Sequence, residues 1–257
     1  MKVATFNANS IRSRLGIILA WLDTHQPDVL AIQETKVADD AFPSAPFIDV
    51  GYHVEFRGQK SYNGVAIITR EQAREVDAGF GDGAMDDIPR LLRAKIGDVH
   101  IVNTYVPQGR EIEHEMYSYK CLWFSRLRAY FDRNVSKDDP VIWLGDMNVA
   151  YDPIDVHNPE KRKNHVCFHI AAREAFTQCR EWGFVDVFRR HHPEPGQFTF
   201  FDYRTVDAVH ERKGWRIDYI LTDPDLAEQC TDSYIDIEPR LQVKPSDHTF
   251  LVAEFDI

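Results

Sequence analysis

Cysteine is scarce in this chain: four residues in 257, and none lies in a Cys-x-x-Cys pair. No histidine spacing around Cys121, Cys167, Cys179 or Cys230 suggests zinc, which leaves out disulfide scaffolds and zinc modules. These cysteines read as small core residues of a reduced protein. Long apolar runs are also missing, as is a charged-then-apolar leader. The expectation is a soluble, intracellular, cytoplasmic protein with no membrane partner. Positive charge is in deficit, with 30 Lys and Arg against 41 Asp and Glu, a net charge of −11. Nucleic-acid binders usually carry a basic surface. That objection is limited, because net charge does not locate charges and a bound divalent metal adds positive charge at a carboxylate-rich site. No glycine-rich phosphate loop is present, which counts against P-loop and dinucleotide folds. Neither linker, low-complexity segment nor clear repeat divides the chain. With 44% hydrophobic residues it has enough for a sizeable core, and 1–257 is read as a single domain.

What is there centres on Gly145-Asp146-Met147-Asn148. It follows the apolar run Val141-Ile142-Trp143-Leu144, a short β-branched and aromatic stretch that reads as a buried strand. Alternation points Asp146 and Asn148 the same way at the strand's carboxyl end, where α/β sheets place ligands. A carboxylate beside a carboxamide suits a hard cation, an activated water or a phosphate oxygen. A plain polar turn uses the same residues.

The amino-terminal stretch predicts a β-α-β unit. Lys2–Phe6 is a strand, and Ser10 to His25 is a helix with Ile11, Leu15, Ile18, Leu19 and Leu22 on one face. Asn9 or Ser10 caps that helix, Pro27 stops it, and Asp28–Gln33 is the second strand. A right-handed crossover makes the two strands parallel and brings Asn7, Asn9 and Glu34 to one rim. Further strands are expected at Tyr52–Phe56, Asn63–Ile68, Leu91–Ile96 and His100–Val106, joined closely enough to be antiparallel. Gly79–Pro89 reads as a mobile loop. A second helix runs from His114 to Asn134, with Met116, Tyr119, Trp123, Leu127, Tyr130 and Phe131 as its buried stripe. A third runs from Ala171 to Trp182 and ends at Gly183. Late strands are expected at Gln197–Phe201, Trp215–Leu221, Tyr234–Ile237 and Phe250–Phe255. Strand–helix–strand leads to Glu34 and again to Asp146. Two such halves imply two mixed β-sheets packed face to face with helices outside.

Polar residues gather at strand ends in four places: Asn7/Asn9, Glu34, Asp146/Asn148 and Asp247-His248. Asp218 lies inside the apolar strand Trp215–Leu221, where a carboxylate is costly unless paired with a cation or a histidine. Each also has an ordinary reading: turn and cap residues, a solvated Glu34, a structural pair at Asp218, a core histidine at His248.

Phe6-Asn7-Ala8-Asn9, Gln33-Glu34-Thr35-Lys36, Asn103-Thr104-Tyr105-Val106-Pro107-Gln108-Gly109, Gly145-Asp146-Met147-Asn148, Trp215-Arg216-Ile217-Asp218-Tyr219 and Lys244-Pro245-Ser246-Asp247-His248 occur in that order. Together they resemble the exonuclease III family of abasic-site endonucleases, in the endonuclease/exonuclease/phosphatase superfamily. The resemblance spans Met1 to Ile257 and implies a four-layer α/β sandwich that hydrolyses DNA phosphodiesters with Mg²⁺, or Mn²⁺ in its place. It implies Glu34 as the principal metal ligand, with Asp247 and Asn9 assisting. Asp146 would ready the attacking water, with Asn148 and Asn7 holding that carboxylate. His248, oriented by Asp218, would contact the scissile phosphate. Tyr105 would meet the phosphate or leaving group, as phenol or phenolate. Gln108 and Arg110 would touch DNA, and Phe200, Trp215 and Ile217 would line a slot for a flipped, base-less deoxyribose. The expected partner is double-stranded DNA with abasic sites or blocked 3′ ends, bound by a monomer. Basic residues near the motifs (Arg12, Arg14, Lys60, Arg110, Lys161 to Lys163, Arg212 and Lys213) would form a basic groove if they share a face. An inositol-phosphate or phospholipid-headgroup phosphoesterase is the rival reading, and a DNA-binding module with a decayed site is a third.

Overall fold

The structure is a computed structural model that describes residues 1–84 and 88–257. Its strands are β1 (Lys2–Asn7), β2 (Val29–Gln33), β3 (His53–Arg57), β4 (Val65–Thr69), β5 (Arg74–Ala78), β6 (Leu91–Ile96), β7 (Val99–Tyr105), β8 (Val141–Asp146), β9 (Val185–Asp186), β10 (Asp218–Thr222), β11 (Cys230–Asp236) and β12 (Phe250–Phe255). The main helices are α1 (Ile11–His25), α2 (Ala45–Asp49), α3 (Glu115–Asn134) and α4 (Ile170–Arg180). Among the described residues the strands form two six-stranded mixed sheets, in the orders β11-β12-β1-β2-β4-β3 and β5-β6-β7-β8-β10-β9. β1 and β2 are parallel, as are β7 and β8, and every other pairing is antiparallel. Each sheet therefore carries one β-α-β unit at its centre. The expected four-layer sandwich is the architecture found.

The layering follows from strand periodicity. Alternate residues such as Val3, Val29, Ala31, Ile101, Ile142, Leu144 and Ile220 fill the gap between the sheets. The opposite faces pack on helices. Ala4, Phe6, Leu30 and Ile32 meet Ile11, Ile18, Trp21 and Leu22 of α1, while Val141 and Trp143 meet α3 and α4 through Phe124, Phe131 and Phe176.

The inter-sheet rows turn polar toward one rim. Thr5 follows Val3, Gln33 follows Ala31 and Asn103 follows Ile101, all buried. The Gln33 amide donates to Thr5 Oγ1 at 2.9 Å and to Asn103 Oδ1 at 2.8 Å. Asn103 in turn donates to the carbonyls of Ile32 and Ala66. This bridge fixes one sheet against the other where the apolar core stops, since buried amides hold their place only when bonded. One step further along the same rows stand Asn7, Tyr105, Asp146 and Asp218.

Several local expectations are corrected. Neither Asn9 nor Ser10 caps α1 with its side chain. The first helical amides instead reach the β2 exit, Ser10 N to Glu34 O at 2.8 Å and Ile11 N to Thr35 O at 3.1 Å. Gln197–Phe201 is not a strand, because Phe200 makes only single bridges to Trp215 and His248. The regular part of β10 begins at Asp218, since Trp215 to Ile217 leaves β8 to pair with loops through Phe200 and Val156. The α3 stripe is Tyr117, Lys120, Trp123, Phe124, Leu127, Tyr130 and Phe131, with Met116 and Tyr119 only half-buried. A lysine inside it disguises the first two turns. Of Gly79–Pro89, residues 85–87 lie outside the described residues. Before them Phe80 packs on Trp123 with ring centres 5.0 Å apart, and Asp82 pairs with Arg126 at 2.8 Å. No helix among the described residues is long and apolar enough to cross a membrane.

Candidate active site

The two β-α-β units deliver their polar ends to the same rim. Gly145 lies at φ 132, and a side chain there would collide with the Thr104 carbonyl, so β8 sits tightly on β7. Asp146 follows, 1% exposed, opposite Asp218 across β10 and opposite Tyr105 across β7. Its Oδ1 accepts from Asn148 N at 2.8 Å, and Oδ2 accepts from Asn7 Nδ2 at 2.9 Å and Asn148 Nδ2 at 3.2 Å. Asn7 Nδ2 also reaches Glu34 Oε1 at 2.9 Å, so one carboxamide spans both carboxylates. Asn9, Glu34 and Asn148 hold left-handed φ of 45°, 52° and 50°. Non-glycine residues persist there only when their surroundings over-determine them, and such strain gathers at functional sites.

His248 is buried with Nδ1 2.8 Å from Asp218 Oδ2 and Nε2 3.8 Å from Asp146 Oδ2. Burial disfavours its charge, but Asp218, Asp146 and Asp247 outweigh it and raise the imidazole's affinity for a proton. Asp146 is also raised, chiefly by burial, with Asp218 and Glu34 adding to it against His248 and the Asn7 hydrogen bond. Glu34 goes the other way. Burial opposes its charge, yet Lys36, Asn7 and His248 hold its carboxyl below the usual range. Tyr105 is pushed well up by burial, then by Glu34 and Asp146 against Arg90, so it stands as a phenol. The Arg90 guanidinium lies 4.4 Å over the Tyr105 ring.

Lys36 is a residue whose role sequence reading missed. Its Nζ lies 2.7 Å from Glu34 Oε2 and also bonds Asn9 Oδ1. Asn9 Nδ2 donates to Asp247 Oδ1 at 3.0 Å. An ammonium thus sits between Glu34 and Asn9, with Asp247 joined to them through the Asn9 amide, so oxygen donors that suit a cation meet there. All-oxygen donors of this kind match a hard divalent ion. Asp146, Asp218 and His248 also bring ligand atoms within 4.8 Å of one another, so this acidic cluster could hold a metal. There, however, His248 Nδ1 is already committed to Asp218 and all three groups are buried.

A cleft of about 710 Å³ opens over these groups, lined by Glu34, Tyr105, Gln108, Asp146, Asn148, Asp247 and His248 at one end. Phe200, Trp215 and Ile217 line its apolar side, with the His165 ring 4.4 Å from Trp215. Burial, then Arg162, Lys120 and Arg204, pushes His165 down to about 4, so that ring is neutral. Of the expected basic residues only Arg162 and Lys213 line the cleft, joined by Arg204. Arg14 instead ties the rim together, bonding Asn9 O, Tyr203 and Pro245 O. Arg110 is exposed outside the cleft lining, its backbone N–H held by Gln108 Oε1 at 2.7 Å. His157, His165 and Cys167 were missed because the irregular 157–169 segment carries them, and no periodicity points such a segment at a site.

Comparison with known proteins identifies the family. The model of the endonuclease/exonuclease/phosphatase family matches residues 4–248. Exodeoxyribonuclease III of Haemophilus influenzae is 34% identical over 267 residues, covering 99% of this chain and 100% of that protein. A solved AP endonuclease from Archaeoglobus fulgidus is 52% identical with a TM-score of 0.98, covering 100% of both chains. A solved Neisseria 3′ phosphatase, NExo, bound to a product DNA hairpin, is 34% identical with a TM-score of 0.96, again covering 100% of both. By its fold, its site and these matches, the chain belongs to the endonuclease/exonuclease/phosphatase family, with the exodeoxyribonuclease III and AP endonuclease relatives.

Proposed function

We propose that this chain is a Mg²⁺-dependent DNA repair nuclease that cuts duplex DNA on the 5′ side of abasic sites, trims blocked 3′ ends and digests DNA 3′ to 5′. The observation that carries this reading is the contrast at the rim: Asp146 buried in a frame of amides, with Glu34 beside Lys36 on the other side of Asn7. The relatives' names, an exodeoxyribonuclease III and an AP endonuclease, support the substrate class.

Glu34, with Asp247 and Asn9, would hold the metal ion; Mn²⁺ has the same donor preference. When bound, the ion stabilises negative charge on the phosphoryl oxygens and on the departing 3′-oxygen. The protein's own groups do the rest. Asp146 takes the proton of the attacking water. Its raised affinity for a proton makes it a stronger base than an ordinary aspartate, provided it enters the step ionised. Asn148 and Asn7 keep that carboxylate from turning. His248 stays protonated beside Asp218 and presents Nε2–H to a phosphoryl oxygen. Tyr105, as a phenol, donates a hydrogen bond to the phosphate or the leaving oxygen. Phe200, Trp215 and Ile217 accept a flipped sugar that has lost its base, while Gln108 and, outside the cleft, Arg110 contact the backbone. The same reading treats 1–257 as one domain acting as a cytoplasmic monomer; the four unpaired cysteines fit a reducing compartment.

The test uses duplex DNA carrying one tetrahydrofuran abasic analogue, with Mg²⁺ or with chelator. A Mg²⁺-dependent nick 5′ to the analogue is expected. No nick, together with phosphate release from a soluble inositol phosphate, would overturn the proposal.

A further inference from the structure

Lys120 is fully buried, a position no other lysine among the described residues shares. It sits on the core-facing stripe of α3 between Tyr117 and Phe124, where periodicity asks for an apolar side chain. Its stem occupies the space left beside Gly109. Among the described residues the ammonium has no carboxylate within salt-bridge distance. It donates to three neutral carbonyls instead: Asn148 O at 2.7 Å, Val166 O at 2.8 Å and Gln108 O at 3.2 Å. These are the three N–H bonds an ammonium can make.

The three carbonyls belong to three separate walls of the cleft. Asn148 follows β8 and frames Asp146. Gln108 follows β7 and extends the segment that carries Tyr105. Val166 lies between His165 and Cys167, on the wall that backs Trp215. None of the three segments is regular secondary structure. They are joined in pairs, Val106 N–H donating to Asp146 O at 2.9 Å, Asn148 Nδ2 to Val106 O at 3.0 Å and Ala150 N–H to Cys167 O at 2.7 Å, and the Lys120 ammonium bonds all three at once. Burying a charge without a counter-ion is costly. What offsets that cost here is the donor it supplies to three carbonyls of three different segments, each of which an apolar side chain would leave unbonded.

We propose that Lys120 is a positioning residue, whose three hydrogen bonds set the separation between the Asp146 frame, the Tyr105–Gln108 segment and the pocket wall at Val166. The proposal rests on the nuclease reading above for its kinetic consequence but not for its structural one. Loss of the clamp lets reacting groups drift by about an ångström, which costs about 100-fold in rate.

The test is Lys120→Met, with Lys120→Arg as the charge-retaining control. Single-turnover cleavage of the abasic-analogue duplex at saturating enzyme is expected to fall about 100-fold. The Kd for the same duplex in chelator should stay within about threefold, and Lys120→Arg should recover most of the lost rate. Hydrogen exchange, which needs no substrate, should show lost protection at 106–110, 147–150 and 164–168 while α3 and β8 keep theirs. Loss spread over α3, a rate close to that of the native enzyme in a folded Lys120→Met, or no recovery in Lys120→Arg would overturn the proposal. If Lys120→Met does not fold, Lys120→Gln takes its place. Failure of both to fold would mean that Lys120 holds up the core, and the proposal would be wrong. If the native enzyme leaves abasic DNA intact while the three segments still loosen, the nuclease reading fails and the clamp stands.

Discussion

The two β-α-β halves are built alike and end differently. β1-α1-β2 delivers Asn7 and Glu34; β7-α3-β8 delivers Tyr105 and Asp146. In both, a parallel pair lies third and fourth in its sheet and its inward rows run off the apolar core into polar side chains. At the rim the environments part. The Glu34 side chain is 18% exposed and meets an ammonium 2.7 Å away, so it is held ionised. Asp146 is closed in, faces Asp218 and is pushed toward its neutral form. Two carboxylates whose environments drive their proton affinities apart are assigned different work by that difference. One suits a cation and the other a proton. Asn7, bonded to both, fixes their distance.

The largest expected effect comes from removing the proton acceptor. Asp146→Asn should lower the cleavage rate about 10³- to 10⁴-fold while binding of abasic duplex in chelator persists. Near-normal turnover would take the base role from the second half. A smaller and different effect is expected from the first half. Glu34→Gln should raise the Mg²⁺ concentration for half-maximal cleavage at least about tenfold and regain much of the rate at high Mg²⁺. A Mg²⁺ titration distinguishes the two variants. If excess Mg²⁺ rescues Asp146→Asn and not Glu34→Gln, the roles are reversed.

How much of this was legible in the sequence depends on how local each feature is. The β-α-β units showed through because a buried parallel strand is a continuous apolar run and a helix face has its own period. Asp146 and Glu34 stood out as the first charged residues after such runs. Edge strands showed unevenly: β3 was read as Tyr52–Phe56 and only the end of β11, as Tyr234–Ile237, while β5 and β9 were missed. Arg74–Ala78 is an exposed edge strand with almost no apolar alternation, and Cys230–Asp236 carries a register shift after Cys230. The Trp215 wall was half legible. Trp215 and Ile217 sit in an apolar stretch, but their exit from β8 depends on Phe200, Val156 and the Arg216–Asp155 ion pair, each distant in sequence. Lys36 and Lys120 escaped for opposite reasons. A lysine after a strand looks solvated, and one inside a helix stripe looks like a break in the pattern. Only the folded chain shows each ammonium surrounded by oxygen atoms.

The smallest expected effect probes the coupling between the halves. In the metal-free enzyme Glu34 is one of the charges that raise Asp146, and His248 is the largest that lowers it. Taking away a negative neighbour makes ionisation easier, so Glu34→Gln should move the Asp146 midpoint to lower pH. Taking away the imidazolium makes ionisation harder, so His248→Gln should move it to higher pH. Each move should be about one pH unit, read from the carboxyl carbon of Asp146 by ¹³C NMR in chelator. Because His248 is held protonated by Asp218, the neutral side of the titration should see both groups at work, with Asp146 losing its proton while the imidazolium keeps its own. Shifts of opposite sign would show that the two carboxylates share one field across Asn7. Two shifts in the same direction would mean that a general loosening of the rim, and not charge, sets the Asp146 midpoint, and the electrostatic contrast between the halves would fail with it.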